Sequence, residues 1–180
     1  MARIPLHSVD DAPEASREAL SRLARRFGKV MNIHGEMAHS PAVLNGYLAI
    51  QDVIRHHGTF DAQTREAIAI AIGAIDQCGH CQAAHTAGAR GAGLPDGDIL
   101  AARSGVAGSS ERLDALLAIA RAYASNVARV PGELWQAGLA AGWSDAELTE
   151  VSIHVTVNLL TNYFNHYVHT DLDLPAAPPL

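Results

Sequence analysis

Both cysteines of this chain stand three residues apart, at Cys78 and Cys81, and His85 follows four residues later. Two thiols at that spacing can close a short disulfide, so a sulfenic acid formed on one by a peroxide can be resolved by the other. The thiolate is the reactive form, and the positive end of a helix raises its fraction at neutral pH. If a helix opens at Asp76 or Gln77, the three side chains fall at i, i+3 and i+7, on one stripe. His85, one turn beyond Cys81, can then take or give a proton. Glu66 lies twelve residues before Cys78, in a segment of Ile and Ala. A carboxylate there, partly desolvated beside the thiols, can serve as a general base or orient His85. The plainer reading of Glu66 is a first-turn residue favoured by the helix dipole.

Other chemistries remain open at the same residues. Two buried thiols can simply fill a core. Cys78, Cys81 and His85 are also zinc-type ligands, with His80 or Glu66 as a fourth, although structural zinc normally joins two distant ligand pairs. His34, His39 and the His56–His57 pair could be ligands or site residues, but in a chain with ten histidines the plainer reading is solvated or capping positions. His166 and His169 form a His-x-x-His pair without a carboxylate at a useful offset. Trp135, Trp143, Tyr163 and Phe164 read as core or interface.

The elements that must position these residues are helices. Ala and Leu dominate, aromatic residues make up 5% of the chain, and strand-like alternation is rarely sustained. Ala67 to Ile72 does alternate with period two, but Ala is a poor strand former, so Glu66 to Ile75 is assigned to a helix. Asp61 is its N-cap. Pro95–Asp96 opens a short helix, Ser109 or Ser110 caps a run to Ala128, Pro131 starts another, and Ser144 with Glu147 forms a capping box. Gly88, Gly91 and Gly93 end the cysteine helix, and Arg103 to Ser110 is a short linker.

A second, degraded copy of the cysteine block appears when the sequence is shifted by 84. Gly58, Asp61, Ala62, Glu66, His85 and Thr86 then meet Gly142, Asp145, Ala146, Glu150, His169 and Thr170. Cys78 and Cys81 meet Asn162 and Asn165. The pattern implies an all-α helical bundle of two degenerate pseudo-repeats, with thiol chemistry in the first and amides in the second.

A chain of 180 residues that is 48% apolar suits one domain with a substantial core. A net charge of −6 without a basic cluster argues against nucleic acid or an anionic membrane as partner. The longest apolar run, Ala67 to Ile75, is too short to span a bilayer. The N-terminus lacks the features of a secretory or transit signal, and two close cysteines do not make a secreted disulfide framework, so the expected compartment is the cytoplasm. The apolar face from Val151 to Leu160 suggests a homo-oligomer. The tail DLDLPAAPPL is expected to be extended, on a neighbour or disordered.

Glu66, Cys78, His80, Cys81 and His85 together resemble the motif of the alkylhydroperoxidase D and carboxymuconolactone decarboxylase superfamily: a Glu, eleven intervening residues, Cys-x-His-Cys, and a His four residues on. The resemblance covers roughly residues 36 to 170, and Asn162 to Asp173 is similar to members of the peroxidase-related type. It implies residues 1–35 as an N-terminal arm and helix, 36–175 as an alkylhydroperoxidase D-like domain with repeats at about 44–92 and 111–171, and 176–180 as a tail. It further implies a homotrimer or homohexamer that reduces alkyl hydroperoxides or hydrogen peroxide with a thiol or dithiol donor, without haem, flavin or metal. In that pattern Cys81 is peroxidatic, Cys78 resolving, Glu66 and His85 a proton relay, and His80 a further site residue. The cysteines lie in the earlier half of this chain, ahead of the degenerate repeat, and the electron donor stays open. Alternatives are a decarboxylase or lactone-processing enzyme, whose superfamily members generally lack the cysteine pair, and a non-catalytic disulfide sensor.

Overall fold

A computed structural model describes residues 2–180. Nine helices and no strand occur among the described residues: α1 (Glu14–Phe27), α2 (Asn32–Met37), α3 (Pro41–His57), α4 (Ala62–Ile75), α5 (Gly79–Gly91), α6 (Asp96–Ser104), α7 (Glu111–Ser125), α8 (Gly132–Ala140) and α9 (Asp145–Val168). None of these helices is long and apolar enough to cross a membrane.

The alternating segment is a helix for a reason that periodicity alone hides. From Ala67 to Gly73 every residue of α4 is buried, because α5, α6, α7 and α9 pack around it. A helix covered on all sides needs no polar stripe, and small Ala residues between the Ile side chains let its neighbours approach. The Asp61 side chain accepts from the Thr64 N–H, capping its start as expected. Around α4 lies one apolar cluster that includes Ile68, Ile70, Leu116, Ile119, Val151 and Val155. A second cluster joins α1, α2 and α3 through Leu20, Leu23, Met37, Leu44 and Leu48.

Several expected boundaries hold: Pro95 precedes α6, Ser110 caps α7, Pro131 precedes α8, and Ser144 with Glu147 forms the capping box of α9. Three expectations are corrected. The α7 run stops at Ser125 instead of Ala128, because Val127 and Ala128 take positive φ and turn the chain toward α8. Gly88 lies inside α5 and does not end it. The tail folds back on its own chain: Lys29 bonds the Asp173 carbonyl, and Arg103 bonds the Pro178 carbonyl. The face of α9 expected to need a neighbour is covered in part from within: Val151, Val155 and Val157 are buried, whereas Ile153, Leu159 and Leu160 are only partly so.

Candidate active site

The end of α4 and the start of α5 share one turn. Gln77 adopts φ 53°, its N–H bonds the Ala74 carbonyl, and the Cys78 N–H bonds the Gly73 carbonyl. That is a Schellman closure of α4, with Gln in the left-handed position that glycine usually takes. Cys78 is at the same time the N-cap of α5, its Sγ accepting from the Cys81 N–H at 3.3 Å. The helix thus opens at Gly79, not at Asp76 or Gln77. The shift brings both sulfurs to its first turn, where unpaired N–H groups favour a thiolate. Gly73 leaves room for this approach, since a Cβ there would lie 3.3 Å from Cys81 Cβ.

Cys78 and Cys81 are joined as a disulfide with their Cα atoms 5.3 Å apart. Both are buried, but only Cys81 lines the adjoining cavity of about 210 Å³. His85 and Glu66 line the same cavity, and His85 Nδ1 lies 2.8 Å from Glu66 Oε2. This contact fixes the imidazole ring and leaves its other nitrogen to meet a ligand. Gly88 creates the space for it: a Cβ at residue 88 would lie 2.7 Å from Glu66 Oε2 and 2.9 Å from Oε1.

His80 is buried in the cavity wall with Nε2 3.1 Å from Asp173 Oδ1. Burial holds the His80 pKa below its usual value, against the opposing pull of Asp173. Burial would push the Asp173 carboxyl up, but hydrogen bonds from Lys29, the Asn32 N–H and His80 outweigh it and hold it below the usual range. All five residues of the motif are therefore brought together.

Residues of α9 that align with the cysteine block contribute directly to this site. Asn165, which aligns with Cys81, donates from Nδ2 to Cys81 Sγ at 3.2 Å and to Cys78 Sγ at 3.7 Å. Asn162, which aligns with Cys78, donates to Asp76 Oδ2 at 2.8 Å. Glu150, the counterpart of Glu66, faces His154 on its own helix at 2.9 Å and accepts from the Thr59 N–H and hydroxyl. His169, the counterpart of His85, instead ends α9 in the left-handed conformation. Among the described residues no group of three His, Cys, Asp or Glu side chains is arranged to hold a metal ion.

Two contributors escaped the sequence reading. Asp173 fell within the segment Asn162 to Asp173 that carries the resemblance, but no role was expected of it there. His34 was read as a solvated or capping residue, yet it is 4% exposed and lines the cavity. Burial depresses its pKa to about 4, so the ring is neutral at physiological pH.

Residues 41–122 match the carboxymuconolactone decarboxylase family. The family suggested by the motif is the one found, and the fold agrees. The uncharacterized peroxidase-related protein with an alkylhydroperoxidase AhpD core from Ralstonia eutropha JMP134 superimposes with a TM-score of 0.85 at 21% identity, over 96% of this chain and 92% of that one. A peroxidase-related protein from Silicibacter sp. TM1040 gives 0.75 at 18% identity, over 98% and 92%. The debrominase Bmp8 gives 0.78 at 16% identity, over 93% and 90%. At these identities the likeness is one of fold. No curated protein matches the sequence significantly.

Proposed function

We propose that this protein is a thiol-dependent peroxidase, reducing organic hydroperoxides through a Cys78–Cys81 dithiol and disulfide cycle. The observation that carries this reading is the position of Cys81: of the two cysteines it alone lines the cavity, with the His85–Glu66 pair in the same wall. In the reduced protein the Cys81 thiolate attacks the distal peroxide oxygen, the O–O bond breaks, and the alcohol leaves with a proton relayed through His85 and Glu66. Cys81 is then a sulfenic acid. The Cys78 thiol attacks its sulfur, water leaves, and the disulfide forms. Two further thiol groups from a donor reduce that disulfide by exchange. The sum is ROOH plus two donor thiols giving ROH, water and the oxidised donor.

Asn165 is assigned the task of stabilising negative charge on sulfur, since its amide reaches both Sγ atoms. The same proposal includes the two-repeat organisation at about 44–92 and 111–171, a homotrimer or homohexamer, and a cytoplasmic setting in which a reductant keeps the thiols available.

The test is peroxide consumption by the purified protein with dithiothreitol, beside Cys81→Ser and Cys78→Ser. Turnover should stop in both variants, and a sulfenic acid should be trapped on Cys81 only in Cys78→Ser. Absence of wild-type turnover while the disulfide still cycles would replace the enzyme with a sensor. Because one fold neighbour is a debrominase, which has also been solved in complex with 2,3,4-tribromopyrrole, that brominated pyrrole belongs in the same panel. Bromide release without peroxide reduction would also overturn the reading.

A further inference from the structure

The cavity beside Cys81 has features that proton relay and thiol exchange leave unused. Arg26, at the end of α1, borders it; among the described residues its guanidinium has no carboxylate partner and lies 5.3 Å from the centroid of the Phe27 ring. By contrast, Arg22, Arg55, Arg90 and Arg112 are each paired with a carboxylate. The one carboxylate in the cavity wall, Glu66, is engaged by His85. Beside Arg26 stands His34, almost fully buried, whose Nδ1 has no hydrogen-bond partner among the described residues. A buried polar atom left unpaired is costly, so this ring has hydrogen-bonding capacity to offer a ligand. Phe27, Met31 and Ile33 supply an apolar wall between these polar groups.

We propose that this cavity is a binding site for a small organic carboxylate, with Arg26 as counter-ion and His34 as hydrogen-bond partner, so that the hydroperoxide reduced is a hydroperoxy acid. The apolar body of the acid lies on Phe27, Met31 and Ile33, and its hydroperoxide group meets Cys81. The carboxylate is unchanged by the reaction: the hydroperoxy acid plus two thiols gives the hydroxy acid, water and the disulfide. The acid site rests on the cavity alone, whereas the identity of the reacting group rests on the peroxidase reading. A guanidinium offers two parallel N–H groups to a carboxylate, a geometry that an amide or ester isostere does not match.

Binding and turnover separate the two claims. Calorimetry on the oxidised wild-type protein compares 4-isopropylbenzoate with 4-isopropylbenzamide. The benzoate is expected to bind at least about ten-fold tighter, equivalent to about 1.4 kcal/mol, and Arg26→Gln should erase the difference. A thermal melt checks that this variant, altered at an exposed position, is folded. Equal affinity of the two probes, or a preference that survives Arg26→Gln, overturns the acid site. Turnover then compares 4-carboxycumene hydroperoxide with cumene hydroperoxide, and the acid is expected to show a KM about ten-fold lower. If the benzoate binds as expected and neither hydroperoxide is reduced, the peroxidase reading falls and the acid site stands. If both are reduced alike and the benzoate is not preferred, the acid site falls and the peroxidase stands. A carboxylate preference confined to the reductant, dimercaptosuccinate over dithiothreitol, overturns the assignment of the acid to the hydroperoxide.

Discussion

Replacing Gly88 by alanine should make this protein more stable and less active. In a helix interior alanine is favoured over glycine by about 1 kcal/mol, which for a chain of this size raises Tm by roughly 2–4 °C. The new methyl group, however, would lie 2.7 Å from Glu66 Oε2. Reaching an ordinary van der Waals separation of about 3.4 Å moves that oxygen by about 0.7 Å. A 2.8 Å contact with His85 Nδ1 stretched by that amount is at the limit of a hydrogen bond. The clashing atoms are the far end of a flexible side chain, so the carboxylate swings away and the helix stays intact. The relay loses its anchor, and general acid–base catalysis is worth roughly 10²–10⁴-fold. A partial loss of about 10- to 100-fold in peroxide turnover with dithiothreitol is expected, close to that of Glu66→Gln. Thermal melts and turnover are measured on the same preparation. Unchanged turnover, or a fall in Tm of several degrees, refutes the argument that Gly88 exists to seat Glu66.

Asn165→Ala should slow alkylation of reduced Cys81 by iodoacetamide at pH 7 about five-fold, the equivalent of one lost hydrogen bond of about 1 kcal/mol to sulfur, with mass spectrometry following the adduct. Gln77→Gly should raise stability to denaturant by roughly 0.5–1 kcal/mol, since it relieves a left-handed non-glycine residue at some cost in chain entropy. The neutral burial of His34 predicts an acid-side loss. Its folded pKa of about 4 lies below the ordinary 6.5, so the unfolded chain binds the proton first and stability falls as pH drops from 6.5 toward 4, by up to about 1.4 kcal/mol per pH unit. His34→Gln should flatten part of that slope in melts between pH 7 and 4.5; an identical slope would show that the ring is protonated in the folded state. Asp173→Ala removes the contacts to Lys29, Asn32 and His80, and faster backbone hydrogen exchange at Asn32 and along residues 170–176 should report the released tail.

The all-α class and most helix starts were legible because caps are local: Asp61, Ser110 and the Ser144–Glu147 box each act within three residues. The five motif residues were legible because their spacing within two consecutive helices is itself chemical information. The exact start of α5 was not, because glutamine stands at residue 77 where the turn wants glycine, and sequence alone gives no cue to a left-handed glutamine. Nor was Gly88, whose role depends on a carboxylate arriving from the neighbouring helix. His34 and Asp173 were beyond reach for the same reason: each gains its environment from segments far away in sequence. The alignment of Asn165 with Cys81 set an amide against a thiol without giving it a definite role, and the amide contacts both sulfurs.

That amide also decides how many ways the site can oxidise. A cysteine at position 165 would put a third sulfur beside Cys81, where the asparagine amide now lies 3.2 Å from it. The sulfenic acid would then have two competing resolvers, and one product would be a cross-link stapling α5 to α9. Such a species is a dead end if a donor cannot reach it between two packed helices. An asparagine in this place keeps a hydrogen-bond donor against the sulfur while being inert to peroxide. With asparagine rather than cysteine at residue 165, Cys78 and Cys81 remain one sulfur pair, and the amide serves as its solvation.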